Sequence, residues 1–259
     1  MVGGKEMFIY SSLSDVGLKR TLNEDSILVA EAHGLFVVSD GMGGYEKGEI
    51  ASQIIVNTFS DIFNNNGNDE ESTQSGLVKE LDDLENRLNR VIVQSTDKII
   101  HYAQTHSIKG NMGATVVGLE KVEDKEELLV FHLGDSRAYR IRDYKIDRIT
   151  KDHSQFEEMR SLGTYSEKEL AEVRRSRITK AVGNFTAFPL EINHLLLEEN
   201  DFYLLCSDGV SDLCEDEELL DIVMQEESDL EKACNSIKEL VYQRGAKDNL
   251  SVIIFKYKK

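Results

Sequence analysis

The chain has little proline, a shortage of positive charge and no long apolar run, and each shortage narrows the reading. One proline, Pro189, stands in 259 residues, where average usage would give roughly a dozen. A Pro-rich linker is therefore excluded, and no shift in composition marks a boundary. One domain over residues 1–259 is expected. Basic residues number 30 against 48 acidic ones, a net charge of −18. Nucleic-acid phosphates and anionic lipid surfaces repel such a chain, so neither nucleic acid nor membrane is an expected partner. The longest purely apolar run is the five residues Phe202 to Cys206, whereas a membrane span needs about 20. Met1 to Tyr10 shows no basic stretch followed by an apolar one, so no secretory signal is expected. The three cysteines, Cys206, Cys214 and Cys234, are odd in number and widely spaced. They suit neither a disulfide frame nor a zinc site, and Cys206 reads as a small core residue. A cytoplasmic setting is expected. The acidity is not that of a disordered tail, because 40% of the residues are hydrophobic and fall in patterned segments.

No internal repeat is visible. Short β-favouring segments open the chain at Met7–Ser11, Ser26–Glu31 and Leu35–Ser39. A helix is predicted over Gly48–Phe63, a polar loop over Asn64–Gly76 and a long helix over Leu77–His106. In the long helix Leu77, Leu81, Leu84, Leu88, Val91, Ile99 and Tyr102 form one apolar stripe. Strands return at Ala114–Leu119, Glu127–Leu133, Arg137–Arg142 and Lys145–Ile149, and read as a meander. The charged stretch Glu120–Glu127 would be its exposed hairpin tip. A helical insertion follows over Ser154–Val173, with a capping box at Ser166-x-x-Glu169. Strands at Leu190–Leu197, Asp201–Cys206 and Leu250–Tyr257 enclose helices near Asp216–Gln225 and Asp229–Arg244. Ser228-x-x-Glu231 would cap the latter, and Gly245 would stop it. This order is not a regular β-α-β alternation. Antiparallel sheets covered by paired helices, an α+β layered architecture, fit better.

Acidic residues recur where apolar strands end or glycines begin. Phe36-Val-Val-Ser-Asp40-Gly41 is a buried-looking strand ending in Ser-Asp-Gly, and Phe202-Tyr-Leu-Leu-Cys-Ser-Asp208-Gly209 repeats the design. Asp135 follows the strand ending at Leu133, and Asp248 precedes the strand from Leu250. Glu24, four residues after Arg20, and Asp25 sit just before another strand. Any one Asp-Gly is most simply a turn, and Arg20 beside Glu24 is most simply an ion pair. Several carboxylates converging at buried strand ends would repel one another and require cations. Oxygen donors suit Mg²⁺ or Mn²⁺, so these acids point to a carboxylate-bound metal centre. His132, inside a strand, reads as a core residue, and the six histidines show no ligand spacing.

The set resembles the metal-dependent Ser/Thr protein phosphatase family, type 2C class, in its bacterial form. The matching segments are Ser14-Asp-Val-Gly-Leu-Lys-Arg20-Thr-Leu-Asn-Glu24-Asp25, Val37-Val-Ser-Asp40-Gly-Met-Gly-Gly44 and Asn111-Met-Gly-Ala-Thr115. They continue with His132-Leu-Gly-Asp-Ser-Arg-Ala-Tyr-Arg140, Thr150-Lys-Asp-His-Ser154 and Arg177-Ile-Thr-Lys-Ala-Val-Gly183. Leu205-Cys-Ser-Asp208-Gly-Val-Ser-Asp212 and Lys247-Asp-Asn-Leu-Ser251 complete the series, in the family's order, across almost the whole chain.

The resemblance implies a four-layer α-β-β-α sandwich with metals at one edge, and a flap subdomain at about 150–183. It implies two Mn²⁺ or Mg²⁺ ions, with a third held more weakly. Asp40 would bridge the two. Asp208 and Asp248 would complete one ion, and Glu24 with the Gly41 carbonyl the other, partly through water. Asp25 would support these ligands, Asp135 would serve the third ion, and Arg20 would grip substrate phosphate. Asp212, Asn249 and His153 are further candidates in the same motifs. The implied reaction is hydrolysis of phosphoserine or phosphothreonine by a hydroxide bridging the two metals. The implied partners are phosphorylated proteins and a cognate Ser/Thr kinase, with the enzyme a monomer. One departure matters: many relatives carry His after Asp-Gly as proposed general acid, and here Met42 has no proton to give. His153 is a weak substitute for that role, because a loop-orienting hydrogen bond explains it more simply.

Overall fold

A computed structural model describes residues 7–42, 47–64, 78–173, 177–183 and 188–258. Gly43 and Gly44, most of the expected polar loop (65–76), Leu77 and the flap residues 174–176 lie outside the described residues.

Side chains of a strand alternate between its two faces, and here both faces are apolar in the central strands. In β3 (Leu35–Met42) Leu35 and Val37 enter one core, while Phe36 and Val38 enter another. In β10 (Phe202–Cys206) Phe202, Leu204 and Cys206 face one side, and Tyr203 and Leu205 the other. In β11 (Leu250–Lys258) Val252 and Ile254 part from Ile253 and Phe255 in the same way. Two sheets, each buried on both faces, follow from this pattern. The shared core lies between them, where Phe36 and Phe255 stack at 4.3 Å.

One sheet runs β1-β11-β10-β7-β8, with β1 Met7–Asp15, β7 Arg137–Arg142 and β8 Lys145–Arg148. The other runs β2-β3-β5-β6-β9, with β2 Asp25–Ala30, β5 Val116–Lys121, β6 Glu127–Leu133 and β9 Glu191–Leu196. The short β4 (Gly113–Ala114) pairs with β3. Every pairing is antiparallel. Helices α1 (Gly48–Asn64) and α2 (Val78–Thr105) cover the second sheet, and Leu84, Leu88, Val91 and Ile99 of the expected stripe are buried there. Beyond the single helical turn α5 (Asp208–Ser211), α6 (Asp216–Gln225) and α7 (Leu230–Gln243) cover the first sheet. The α-β-β-α order is thus observed.

Three sequence expectations need correction. The meander breaks, because β6 and β7 belong to different sheets. Gly134, at φ +121°, with Asp135 and Ser136 carries the chain across. The β5–β6 and β7–β8 hairpins remain, the second with its turn made by Asp143 and Tyr144 at positive φ. Glu120 is not in a hairpin tip; β5 runs two residues further and buries it. The cap of α7 is Asp229, whose carboxylate accepts the Lys232 N–H at 3.0 Å, not Ser228. The capping box at Ser166 is present and opens α4 (Glu167–Ala171). Before it, Ser154 caps α3 (Gln155–Leu162) and accepts the Glu157 N–H.

Candidate metal centre

Antiparallel pairing delivers the acids in twos. Asp25 opens β2 and Asp40 sits near the end of β3, directly opposite each other. Asp208 follows β10, and Asp248 precedes β11, the neighbouring strand. The two sheets meet at this edge, where the Ser207 hydroxyl donates to Asp25 Oδ2 at 2.8 Å. Asp135 arrives from the crossing between sheets.

Water is largely excluded from these groups, and they repel one another. Burial first, then Asp25, Asp208 and Asp135, holds the Asp40 carboxyl well above its usual range. Burial and then Asp208, Asp152 and Asp212 do the same to Asp135. Asp208 is raised by burial, Asp212 and Asp248. Asp25 is raised by burial, although hydrogen bonds from Ser251 and Ser207 oppose the rise. Asp135 Oδ1 is buried without a hydrogen-bond partner. Such a set must take up protons or cations, and an all-oxygen donor set fits Mg²⁺ or Mn²⁺.

The loop joining β1 to β2 brings Arg20 over these acids. Its guanidinium donates to Asp248 Oδ2 at 2.7 Å and lies 3.5 Å from Glu24 Oε2. The Arg20 side chain remains 46% exposed, so it can turn toward an incoming anion. Asn249 fastens the loop. Its side chain donates to the Val16 and Leu22 carbonyls and accepts the Glu24 N–H at 2.9 Å. It sits behind the acids as a clamp. Close backbone approach explains two glycines here. A Cβ on Gly41 would lie 2.3 Å from the Gly48 carbonyl oxygen, and one on Gly209 1.8 Å from that of Asn249.

Arg20, Glu24, Asp25, Asp40, Gly41, Asp135, Asp208, Asp248 and Asn249 therefore gather at one edge. Asp212, on the turn after α5, borders the same region and shares a cleft of about 260 Å³ with Asp135, Asp208, Ser154, Phe156 and Arg160. His153 stands apart in its bonding. It is buried, its Nδ1 accepts the Gly134 N–H, and its Nε2 is 2.7 Å from Glu191. A network of hydroxyls was not singled out from the sequence. Thr115 accepts the Asp40 N–H and pairs with Ser136 at 2.7 Å, while Ser251 bonds Ser14. Thr115, Ser136, Ser207 and Ser251 all lie within the motifs, but only the pairing of strands shows what they hold.

The protein phosphatase 2C sequence profile matches residues 19–250. The serine/threonine phosphatase stp of Listeria welshimeri is 28% identical over 93% of this chain and 92% of its own length. Among solved structures, PppA of Pseudomonas aeruginosa superposes with a TM-score of 0.78 at 30% identity, covering 96% of this chain and 97% of that one. The catalytic domain of the phosphatase PstP, in complex with two manganese ions, gives 0.80 at 26% identity over 98% of this chain and 100% of its own. With profile, sequence and fold agreeing over nearly its whole length, the chain belongs to the protein phosphatase 2C family of serine/threonine phosphatases.

Proposed function

We propose that the acidic edge binds two divalent cations, Mn²⁺ or Mg²⁺, and hydrolyses phosphoserine and phosphothreonine in proteins. The observation that carries this is the convergence of four carboxylates, Asp25 and Asp135 buried and Asp40 and Asp208 half-buried, each raised by loss of solvent and by its neighbours. The manganese-bound PstP domain, of like fold, supports the choice of ion. Asp40, central to the set, would hold the two ions along with Asp208, Asp248, Glu24 and the Gly41 carbonyl. Asp25 would brace the set through Ser207. Asp135, beside Asp212, would hold a weaker third ion. When bound, such ions supply a hydroxide nucleophile at neutral pH.

The rest falls to the chain's own residues. Arg20 leaves Asp248 and Glu24 for the substrate phosphate, where its planar fork pairs two oxygens and offsets the charge on the phosphoryl oxygens. Asn249 keeps Arg20 and Glu24 in register by holding their loop. Met42 donates nothing to the leaving oxygen, and the proton of His153 is spent on Glu191. The departing oxygen would take its proton from water held at the ions or from another group. The chain acts as a cytoplasmic monomer, one catalytic unit opposing a Ser/Thr kinase. Among the described residues no helix is long and apolar enough to cross a membrane.

The test is Mn²⁺-dependent release of phosphate from a phosphopeptide. Wild type is expected to be active, and Asp208→Asn to lose at least about 100-fold in kcat, the scale of a key electrostatic group. Equal inertness of both across metals refutes the reading.

A further inference from the structure

His132, His153 and Glu191 bring three ligand atoms within 4.8 Å of one another. The grouping resembles a metal site, but the protons leave it one histidine lone pair, that of His132 Nδ1, which is buried without a hydrogen-bond partner. His132 Nε2 faces the Lys151 carbonyl at 2.9 Å, so Nε2 carries the proton. His153 Nδ1 accepts the Gly134 N–H at 3.0 Å, so its proton also sits on Nε2 and points at Glu191. Neither Nε2 has a lone pair to give. The two rings stack at 4.6 Å and are almost wholly buried. A role other than ligation is needed for them.

The bonds of His153 define that role. Its backbone N–H donates to the Gly134 carbonyl at 2.9 Å, while its ring accepts the Gly134 N–H. Gly134 is thus clamped on both sides. It is also the residue at φ +121° where the chain leaves one sheet for the other, with no room for a Cβ beside Thr115. Asp135 is next in the chain, and its Oδ1 is the buried atom without a partner. The carbonyl of His153 accepts the Thr179 N–H at 2.8 Å, and its neighbour Ser154 bridges Ile178. Both belong to the returning segment of the flap. Glu191, which receives the His153 proton, also receives Lys180 from that segment at 3.2 Å.

We propose that His153 is a positioning residue: through its Nδ1 bond to Gly134 it aims Asp135 at the acidic edge, and through its carbonyl and Glu191 it ties that aim to the base of the flap. The inference rests on the reading of Asp135 as a ligand of the weaker cation. It assigns the histidine neither substrate contact nor proton transfer. Losing a residue that orients a ligand costs about 10- to 100-fold in metal affinity or activity.

Side-chain geometry separates this role from general support of the core. In His153→Asn the amide oxygen falls near the place of Nδ1 and can accept the Gly134 N–H. In His153→Gln the side chain reaches toward Glu191 and leaves Gly134 unpaired. Mn²⁺ binding is measured by calorimetry on metal-free, folded protein, alongside kcat and KM for an aryl phosphate. His153→Asn is expected within about threefold of wild type in the weakest Mn²⁺ affinity. His153→Gln is expected to lose about 10-fold or more there, with kcat falling and KM nearly unchanged. The proposal is overturned if Gln matches wild type, if Asn falls with Gln, or if the order is reversed. Because binding is read without turnover, the two ideas fail separately. A wild type that binds Mn²⁺ but releases no phosphate refutes the phosphatase reading alone.

Discussion

Glu120 is the acid that the sequence misplaces most clearly. In Val116-Val-Gly-Leu-Glu-Lys121 a glutamate before a lysine looks like the start of an exposed turn. The register sets it opposite Leu35 and Leu129, on the face covered by α1 and α2. It is 4% exposed and Oε2 has no hydrogen-bond partner. Burial lifts its carboxyl to about 8, against an ordinary value of 4.5, although Arg87 opposes the rise. Between those pH values the folded state keeps the proton and the unfolded chain releases it, so stability declines as pH rises from 4.5 toward 8. Glu120→Gln copies the protonated form at every pH. It is expected to exceed wild type by about 1–3 kcal/mol at pH 8, the scale of an unsatisfied buried polar group, and to match it near pH 5. Urea melts at both pH values check this, and an equal difference at the two would refute it. The site acids were easier to read. Asp40 and Asp208 each end an apolar run with Gly following, a local signal, whereas burial of Glu120 depends on strands far away in sequence.

At the scale of elements, local chemistry was largely legible and partners were not. β6 and β7 match their predicted bounds to the residue because β6 is a near-continuous apolar run, β7 sets its apolar residues between arginines, and glycine or turn residues flank both. That they belong to different sheets is invisible locally, since period-two alternation names a strand's faces and not its neighbour. The sandwich order came from family resemblance and could not be derived from periodicity. Helix ends show the same limit at finer grain. Both Ser228 and Asp229 are good caps, and Ser228-x-x-Glu231 has the capping-box form. In the fold Asp229 has the N-cap position, with backbone angles outside the helix, and its carboxylate takes the Lys232 N–H. Asp229→Ala is expected to destabilise the protein by about 1 kcal/mol, and Ser228→Ala by much less. Thermal melts of the two variants decide, and the opposite order would return the cap to Ser228. Buried Leu230, Ala233, Cys234, Ile237 and Val241 set the face that α7 turns inward, so the cap fixes where the helix begins rather than how it lies.

For the whole molecule the charge of −18 becomes an argument about docking. Among the acids, those at the metal edge are offset locally when cations are bound, and the remainder act outward. Glu215, Asp216 and Glu217 line the cleft beside Asp135 and Asp208, while its arginines are engaged elsewhere, Arg137 and Arg148 with Asp152 and Arg160 with Glu157. A phosphopeptide rich in Asp and Glu therefore meets repulsion before it meets the centre. Raising salt from about 0.01 M to about 0.1 M shortens the screening length from about 30 Å to about 10 Å. That weakens repulsion between separated charges and leaves close contacts at the metals and Arg20 much less affected. At saturating Mn²⁺, kcat/KM for an acidic phosphopeptide is expected to rise severalfold over this range, while that for a small aryl phosphate changes much less. A fall for the acidic peptide would mean that a local cationic surface outweighs the net charge. Arg174 and Arg175, outside the described residues, would then be the first positions to neutralise.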